Sequence, residues 1–372
     1  MDVDALVAPR VREMQSYAPI VPFDVLSKRL DMAVDRIVKL DANENPYGSS
    51  PRALEAIAQS RLMHIYPDPD QTALREAVAS EVGVGMEHIL CGAGADEVID
   101  TLARTFIEPG DAILDLPPTF GMYKWEADIL GARHVAVRRR SDFSIDVDAV
   151  ERAVRETAAS GSTPKLLFVS NPNNPDGSVT PRADLLRLLD LPLVVVVDEA
   201  YIDFSTEESL APLVRERANL VVLRTFSKLA GMAGLRVGYG LFPTGILGHL
   251  WKVKQPYTPN VAGTVAALAA LTDRQWLADV VHRMVAERSR LSAALQDFDW
   301  LTPLPSHANF VLCRVGGGRQ ARAVKQGLER QGVLVRYFDK DGLRDCIRIS
   351  IGRPEQTDAL LRALQHVSAT PS

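Results

Sequence analysis

The chain has 372 residues, 47% hydrophobic and only 24% charged, so it can bury a large α/β core with a smaller partner unit. Its net charge of −5 gives no reason to expect nucleic acid or an anionic membrane as partner. Cys91, Cys313 and Cys346 are widely spaced, the seven histidines lack metal-ligand spacing, and Met1-Asp2-Val3-Asp4 is unlike an export signal. Reduced thiols, no metal and a cytoplasmic location are therefore expected.

In chain order, residues 1–38 carry prolines and short apolar groups, and are expected to form an arm against the C-terminal unit or a partner subunit. A first domain is expected from 39 to 260. Within it, residues 72–81 read as a helix capped by Asp70, and residues 88–91 as a strand entering the turn Gly92-Ala93-Gly94-Ala95-Asp96-Glu97. Arg138-Arg139-Arg140, followed by Ser141-Asp142, reads as a solvated turn. Residues 165–170, 193–198 and 220–224 are continuous apolar runs rather than alternating ones, so they predict buried strands of a largely parallel sheet covered on both faces. The most apolar run, 191–197, is too short to span a bilayer. A helix is predicted over 182–189, after Pro181 with Thr180 as N-cap. From 261 to 372 a smaller α+β domain is expected, with helices over 261–271 and 276–296, strands over 309–313, 333–337 and 346–350, and a terminal helix over 355–366.

Ligands of an open parallel sheet bind beyond the carboxyl ends of its strands, and polar residues follow four of the predicted strands. Lys228, in Arg224-Thr225-Phe226-Ser227-Lys228, is placed to form a Schiff base, with Thr225, Ser227 and Arg236 near enough in sequence to hold a phosphate. A lone lysine after a strand is ordinarily a surface residue; its company favours the chemical reading. Asp198 ends the most apolar strand, where a carboxylate needs a cation such as a protonated pyridine, unless it caps a helix. Tyr201 and Asn174 can bond a phenolate-type oxygen. Tyr123 either stacks on a planar ring or is a core aromatic. Arg348 and Arg336, on strands of the second domain, suit a carboxylate or phosphate, or else make structural ion pairs.

These segments, with NENPYG (43–48), YPDP (66–69), SNPNNPDG (170–177), DEAYIDF (198–204) and FSKLAGMAGLRVGY (226–239), span nearly the whole chain. Together they resemble the fold-type I, pyridoxal-phosphate-dependent aminotransferases of class II, and within them the branch acting on L-histidinol phosphate. The resemblance implies a large domain with a mainly parallel seven-stranded sheet between helices, and a homodimer with shared active sites. It implies that Lys228 carries pyridoxal 5'-phosphate and shuttles a proton, and that Asp198 pairs with the pyridinium nitrogen. Asn174 and Tyr201 would contact the ring hydroxyl and Tyr123 would stack on the ring. Ala95, Asp96, Ser227, Arg236 and Thr225 would hold the phosphate, with Tyr66 reaching the partner's cofactor. Arg336, Arg348, Tyr17, Tyr257 and Asn43 would bind substrate. The implied reaction is transamination between L-histidinol phosphate and 2-oxoglutarate, forming glutamate; the alternatives are an aromatic amino acid aminotransferase, a threonine-phosphate decarboxylase and a non-catalytic cofactor-binding sensor. Phe120 departs from the tyrosine often found at its position.

Overall fold

Continuous apolar segments fold here as central strands because both of their faces are covered. In this computed structural model, which describes residues 1–14 and 21–369, the described residues form twelve strands. They are β1 (Val38–Leu40), β2 (Ile89–Gly92), β3 (Ala112–Asp115), β4 (Arg133–Ala136), β5 (Pro164–Ser170) and β6 (Val194–Asp198). Then come β7 (Leu220–Thr225), β8 (Gly238–Leu241), β9 (Leu301–Pro303), β10 (Phe310–Val315), β11 (Val333–Tyr337) and β12 (Cys346–Ser350).

Seven of them make one sheet in the order β2-β8-β7-β6-β5-β3-β4. Its pairs are parallel from β7 through β4, and β8 alone runs against its neighbours. Along β6, Val195 and Val197 enter one apolar cluster while Val194 and Val196 enter the cluster on the opposite face. Each such buried side chain contributes about 1.5–3 kcal/mol, so burial on both faces holds the strand in the interior of the sheet. The other five strands form a second sheet, β1-β11-β12-β10-β9, covered by helices Arg274–Leu295, Ala321–Arg330 and Pro354–Ala369. No helix among the described residues is long and apolar enough to cross a membrane.

Several local expectations are revised. Helix Val261–Thr272, expected with the C-terminal unit, buries Ala266, Ala267 and Ala270 in the core of the seven-stranded sheet, because its small residues allow close approach to helix Pro51–Gln59. Strand β1 joins the second sheet through parallel pairing with β11. The helix Thr72–Val82 takes its N-terminal hydrogen bond from Asp68, whose Oδ2 accepts from Thr72 N at 2.8 Å, rather than from Asp70. Helix Arg182–Leu188 has Pro181 at its N-cap and no side-chain cap from Thr180. Of the arginine run only Arg138 and Arg140 are solvated. Arg139 is 8% exposed and donates to the carbonyls of Leu116 (3.1 Å) and Phe143 (3.0 Å), filling its fork with backbone acceptors.

Candidate active site

Strand register gathers the rim residues. Ser170 of β5 lies beside Asp198 of β6, and Asp198 beside Leu223 of β7. The loops leaving these strands enclose a cavity of about 220 Å³, lined on the β5, β6 and β7 side by Asn174, Asp198, Tyr201 and Lys228. Ala95, Asp96, Thr225, Ser227 and Arg236 line it as well.

That second group forms an anion cup. Thr225 Oγ1 accepts from Ser227 N at 3.0 Å and lies 2.9 Å from Ser227 Oγ. Arg236 Nη2 donates to Asp96 Oδ2 at 2.7 Å, in the first turn of helix Gly94–Phe106. Arg236 holds φ at +54°, a left-handed conformation that few non-glycine residues adopt. A Cβ at Gly94 would stand 2.4 Å from Arg236 Nη2, and one at Gly238 would stand 2.3 Å from Ala95 N. Both glycines are needed for guanidinium, strand and helix N-terminus to converge. Hydroxyls, a guanidinium and unpaired N–H groups at a helix start are the donor set a phosphate requires.

Asp198 is 5% exposed. Its Oδ2 accepts from the Tyr123 hydroxyl at 2.7 Å and its Oδ1 from Ala200 N at 3.0 Å. Burial nonetheless pushes the carboxyl up to about 6, opposed by those hydrogen bonds and by the charge of Lys228. A cation bound in the cavity would offset this cost. Lys228, half-buried after β7, places Nζ 5.5 Å from the centroid of the Tyr201 ring. Lysine, buried carboxylate and phosphate cup together fit a phosphorylated pyridine aldehyde.

Tyr123 is the main correction. It is fully buried, its ring stacked on Phe168 with centroids 4.5 Å apart and planes 7° apart, behind Asp198 rather than over the cavity. Phe120 lines the cavity instead. The cause is helix phase: Tyr123 falls on the inward face of helix Met122–Leu130, while Phe120 precedes that helix in the turn. Burial holds the Tyr123 phenol above its ordinary range, so it remains a donor to Asp198.

The sequence reading also missed a clamp. Arg224 Nε and Nη2 each lie 3.1 Å from Glu199 Oε2. Glu199 directly follows Asp198 and Arg224 directly precedes Thr225, so one ion pair fixes both loops. The signal was two charges flanking otherwise apolar strand ends, which burial obliges to pair.

The small cavity opens into a larger one of about 1320 Å³, which shares Asn174, Tyr201 and Lys228 and adds Asn43, Arg336 and Arg348. Arg336 and Arg348 are register partners on β11 and β12, and like charges so placed repel unless an anion or other partners intervene. Arg348 donates to Asn174 Oδ1 at 2.5 Å, joining the second sheet to the first, and to the carbonyl of Asp41, just after β1 of its own sheet, at 3.0 Å. Asn43 Nδ2 donates to the Tyr201 hydroxyl at 3.2 Å, and its Oδ1 accepts from Ser350 Oγ at 2.9 Å. Tyr66 and Tyr257 are not brought to either cavity; they stack on each other at 4.3 Å and are 76% and 48% exposed. Tyr17 lies outside the described residues.

A lysine and a buried carboxylate at the rim of a parallel sheet, beside an anion cup, are the features of a group-transfer enzyme with a phosphorylated aldehyde cofactor. The family model for class I and II aminotransferases matches residues 35–364, and the chain belongs to that family. It is 50% identical to a histidinol-phosphate aminotransferase of Roseiflexus castenholzii, covering 98% of this chain and 99% of that one. It is 47% identical to the chloroplastic histidinol-phosphate aminotransferase 1 of Arabidopsis thaliana, covering 97% of this chain and 86% of that one. The histidinol-phosphate aminotransferase of Sinorhizobium meliloti, solved in complex with pyridoxal-5'-phosphate, matches with a TM-score of 0.88 at 28% identity, over 97% of this chain and 98% of that chain.

Proposed function

We propose that the protein transfers the amino group of L-histidinol phosphate to 2-oxoglutarate, giving imidazole acetol phosphate and L-glutamate, with pyridoxal 5'-phosphate as cofactor. The observation that carries the reading is that the lysine pocket opens directly onto two opposed arginines, Arg336 and Arg348. One substrate presents a phosphate ester and the other carboxylates. A pair of guanidiniums accepts either anion in turn.

Pyridoxal phosphate, when bound, supplies an electron sink for the pair left at the substrate carbon. Lys228 Nζ holds the cofactor and then moves the proton at the carbon bearing the amino group. Asp198 keeps a ring nitrogen protonated, and Tyr123 orients Asp198 from behind. Asn174 spends its Oδ1 on Arg348, so its Nδ2 is left, with the Tyr201 hydroxyl, to hold the ring oxygen. Thr225, Ser227, Arg236 and the N–H groups at Ala95 and Asp96 hold the phosphate. Phe120 covers the ring. Asn43 orients Tyr201 from the substrate side.

The same reading includes a homodimer. The exposed Tyr66–Tyr257 pair, beside exposed Leu62, Met63 and Ile65, would enter the partner's site. It also includes a division into arm, cofactor-binding body and C-terminal body, with the junction after Thr272, because the helix ending there belongs to the first core. Three buried thiols outside any disulfide support a reducing, cytoplasmic setting.

Absorption spectra of the holoenzyme, recorded while single amino donors are added without an acceptor, test the proposal. The lysine-bound cofactor band should disappear at low histidinol phosphate and only at far higher phenylalanine. A better response to phenylalanine or tyrosine would assign the chain to aromatic substrates instead. No lysine-bound band after cofactor addition would overturn the role of Lys228.

A further inference from the structure

The larger cavity is electropositive in an acidic protein. Among the described residues, eight lysines and arginines against six carboxylates line it, while the whole chain carries −5. Three of these cations pair with carboxylates. Lys124 pairs with Asp128, Arg138 with Asp341, and Arg344 with Asp339 and Asp341. Lys340 forms no ion pair with any carboxylate of the described residues, although it sits between two of them in sequence.

Lys340 lies beyond the end of β11, in a bend. Arg336, Phe338, Lys340 and Asp341 all line the cavity, so the wall that begins at the opposed arginines runs on past the strand to the exposed Lys340 at the mouth. Across that mouth is the turn that carries Phe120: a Cβ at Gly121 would be 3.6 Å from Lys340 Nζ. Gly121 is the N-cap of helix Met122–Leu130, the positive end of its dipole, so this neighbour offers the ammonium no stabilisation. Lys340 is exposed to solvent and pairs with no carboxylate of the described residues, so its charge at the mouth is available to an incoming anion.

We propose that Lys340 is the entry cation of the site, a specificity residue that captures the phosphate of one substrate and the carboxylates of the other before they pass inward to Arg336 and Arg348. The inference rests on the anionic substrates proposed above. Capture at the mouth acts on encounter and not on the chemical step. Charge-steered association gains about 10- to 1000-fold and weakens as salt rises.

The test is steady-state kinetics of Lys340→Met and Lys340→Arg holoenzymes over about 20–200 mM salt. The donors are L-histidinol phosphate and L-histidinol, which lacks the anion, and the acceptor is 2-oxoglutarate. Lys340→Met should lower kcat/KM for histidinol phosphate and for 2-oxoglutarate by about tenfold, chiefly through KM, and flatten its salt dependence. The value for histidinol should hardly change, and Lys340→Arg should restore most of the loss. An unchanged kcat/KM for both anionic substrates, or an equal fall for histidinol, overturns the inference. If the wild type fails on histidinol phosphate, the substrate assignment falls by itself. Lys340 is then judged by inhibition with inorganic phosphate, which Lys340→Met should weaken and which an unaltered inhibition constant would contradict.

Discussion

The seven-stranded sheet serves the site from loops at its strand ends, whereas the five-stranded sheet serves it from strand faces. Asp198, Tyr201, Thr225, Ser227 and Lys228 each lie within a few residues of a strand terminus, and the Arg224–Glu199 pair locks their loops together. Arg336 and Arg348 lie on β11 and β12 and reach the cavity only because the second sheet docks against the first, where Arg348 donates to Asn174. The cofactor half is thus set by one sheet's topology. The substrate half is set by the contact between two sheets, so specificity can change there at Arg336, whereas Arg348 also reaches the cofactor half through Asn174.

The largest effect is expected at the lysine. Lys228→Ala should lower turnover by at least about 1000-fold, with far-UV circular dichroism and melting temperature close to wild type. A variant retaining near-wild-type turnover would remove the cofactor half as the chemical centre. Asp198→Asn should cost about 100-fold in kcat. It should also stabilise the cofactor-free protein. Burial raises this carboxyl from 3.8 to about 6, so its contribution to stability is complete below pH 4 and is lost as pH rises through 6. The penalty above that range is about 3 kcal/mol, which the neutral amide avoids. Melting of both apoproteins from pH 4 to 8 checks this: the curves should converge near pH 4, draw apart as pH rises to about 6, and stay a constant distance apart above that.

On the substrate side the effects are smaller and fall on different constants. Arg348→Met should lower kcat/KM for the phosphorylated donor by about 100-fold and Arg336→Met by about tenfold, with the cofactor spectrum unchanged in Arg336→Met. A larger loss from Arg336→Met than from Arg348→Met would make Arg336 the stronger anchor. The smallest effect separates two aromatic neighbours. Phe120→Leu should weaken cofactor retention about threefold to tenfold by removing a ring face. Tyr123→Phe should leave retention nearly intact and shift the pH dependence of kcat, because it acts through the proton it donates to Asp198.

Much of the cofactor half was legible in the sequence, for a physical reason. A strand buried on both faces must be apolar throughout, so the first polar residues after it mark the sheet's rim; Asp198 after Val194–Val197 and Lys228 after Leu220–Leu223 stand out against such runs. Glycine signals were equally local, since the turn at Gly94 needs positive φ. What one dimension could not supply was helix phase and contact between distant segments. Tyr123 and Phe120 are three residues apart, and only the packing of helix Met122–Leu130 turns one into the core and leaves the other over the cavity. Helix Val261–Thr272 has an apolar pattern that suits either body, and its place on the first was decided by small alanines meeting helix Pro51–Gln59. The sequence by itself determined the chemical groups, their order and the strands that present them, because these follow from local burial and turn chemistry. Tertiary structure decided which aromatic faces the pocket, which arginines oppose each other and which lysine of the described residues stands unpaired at the mouth, because each depends on packing and pairing between separate elements rather than on local pattern.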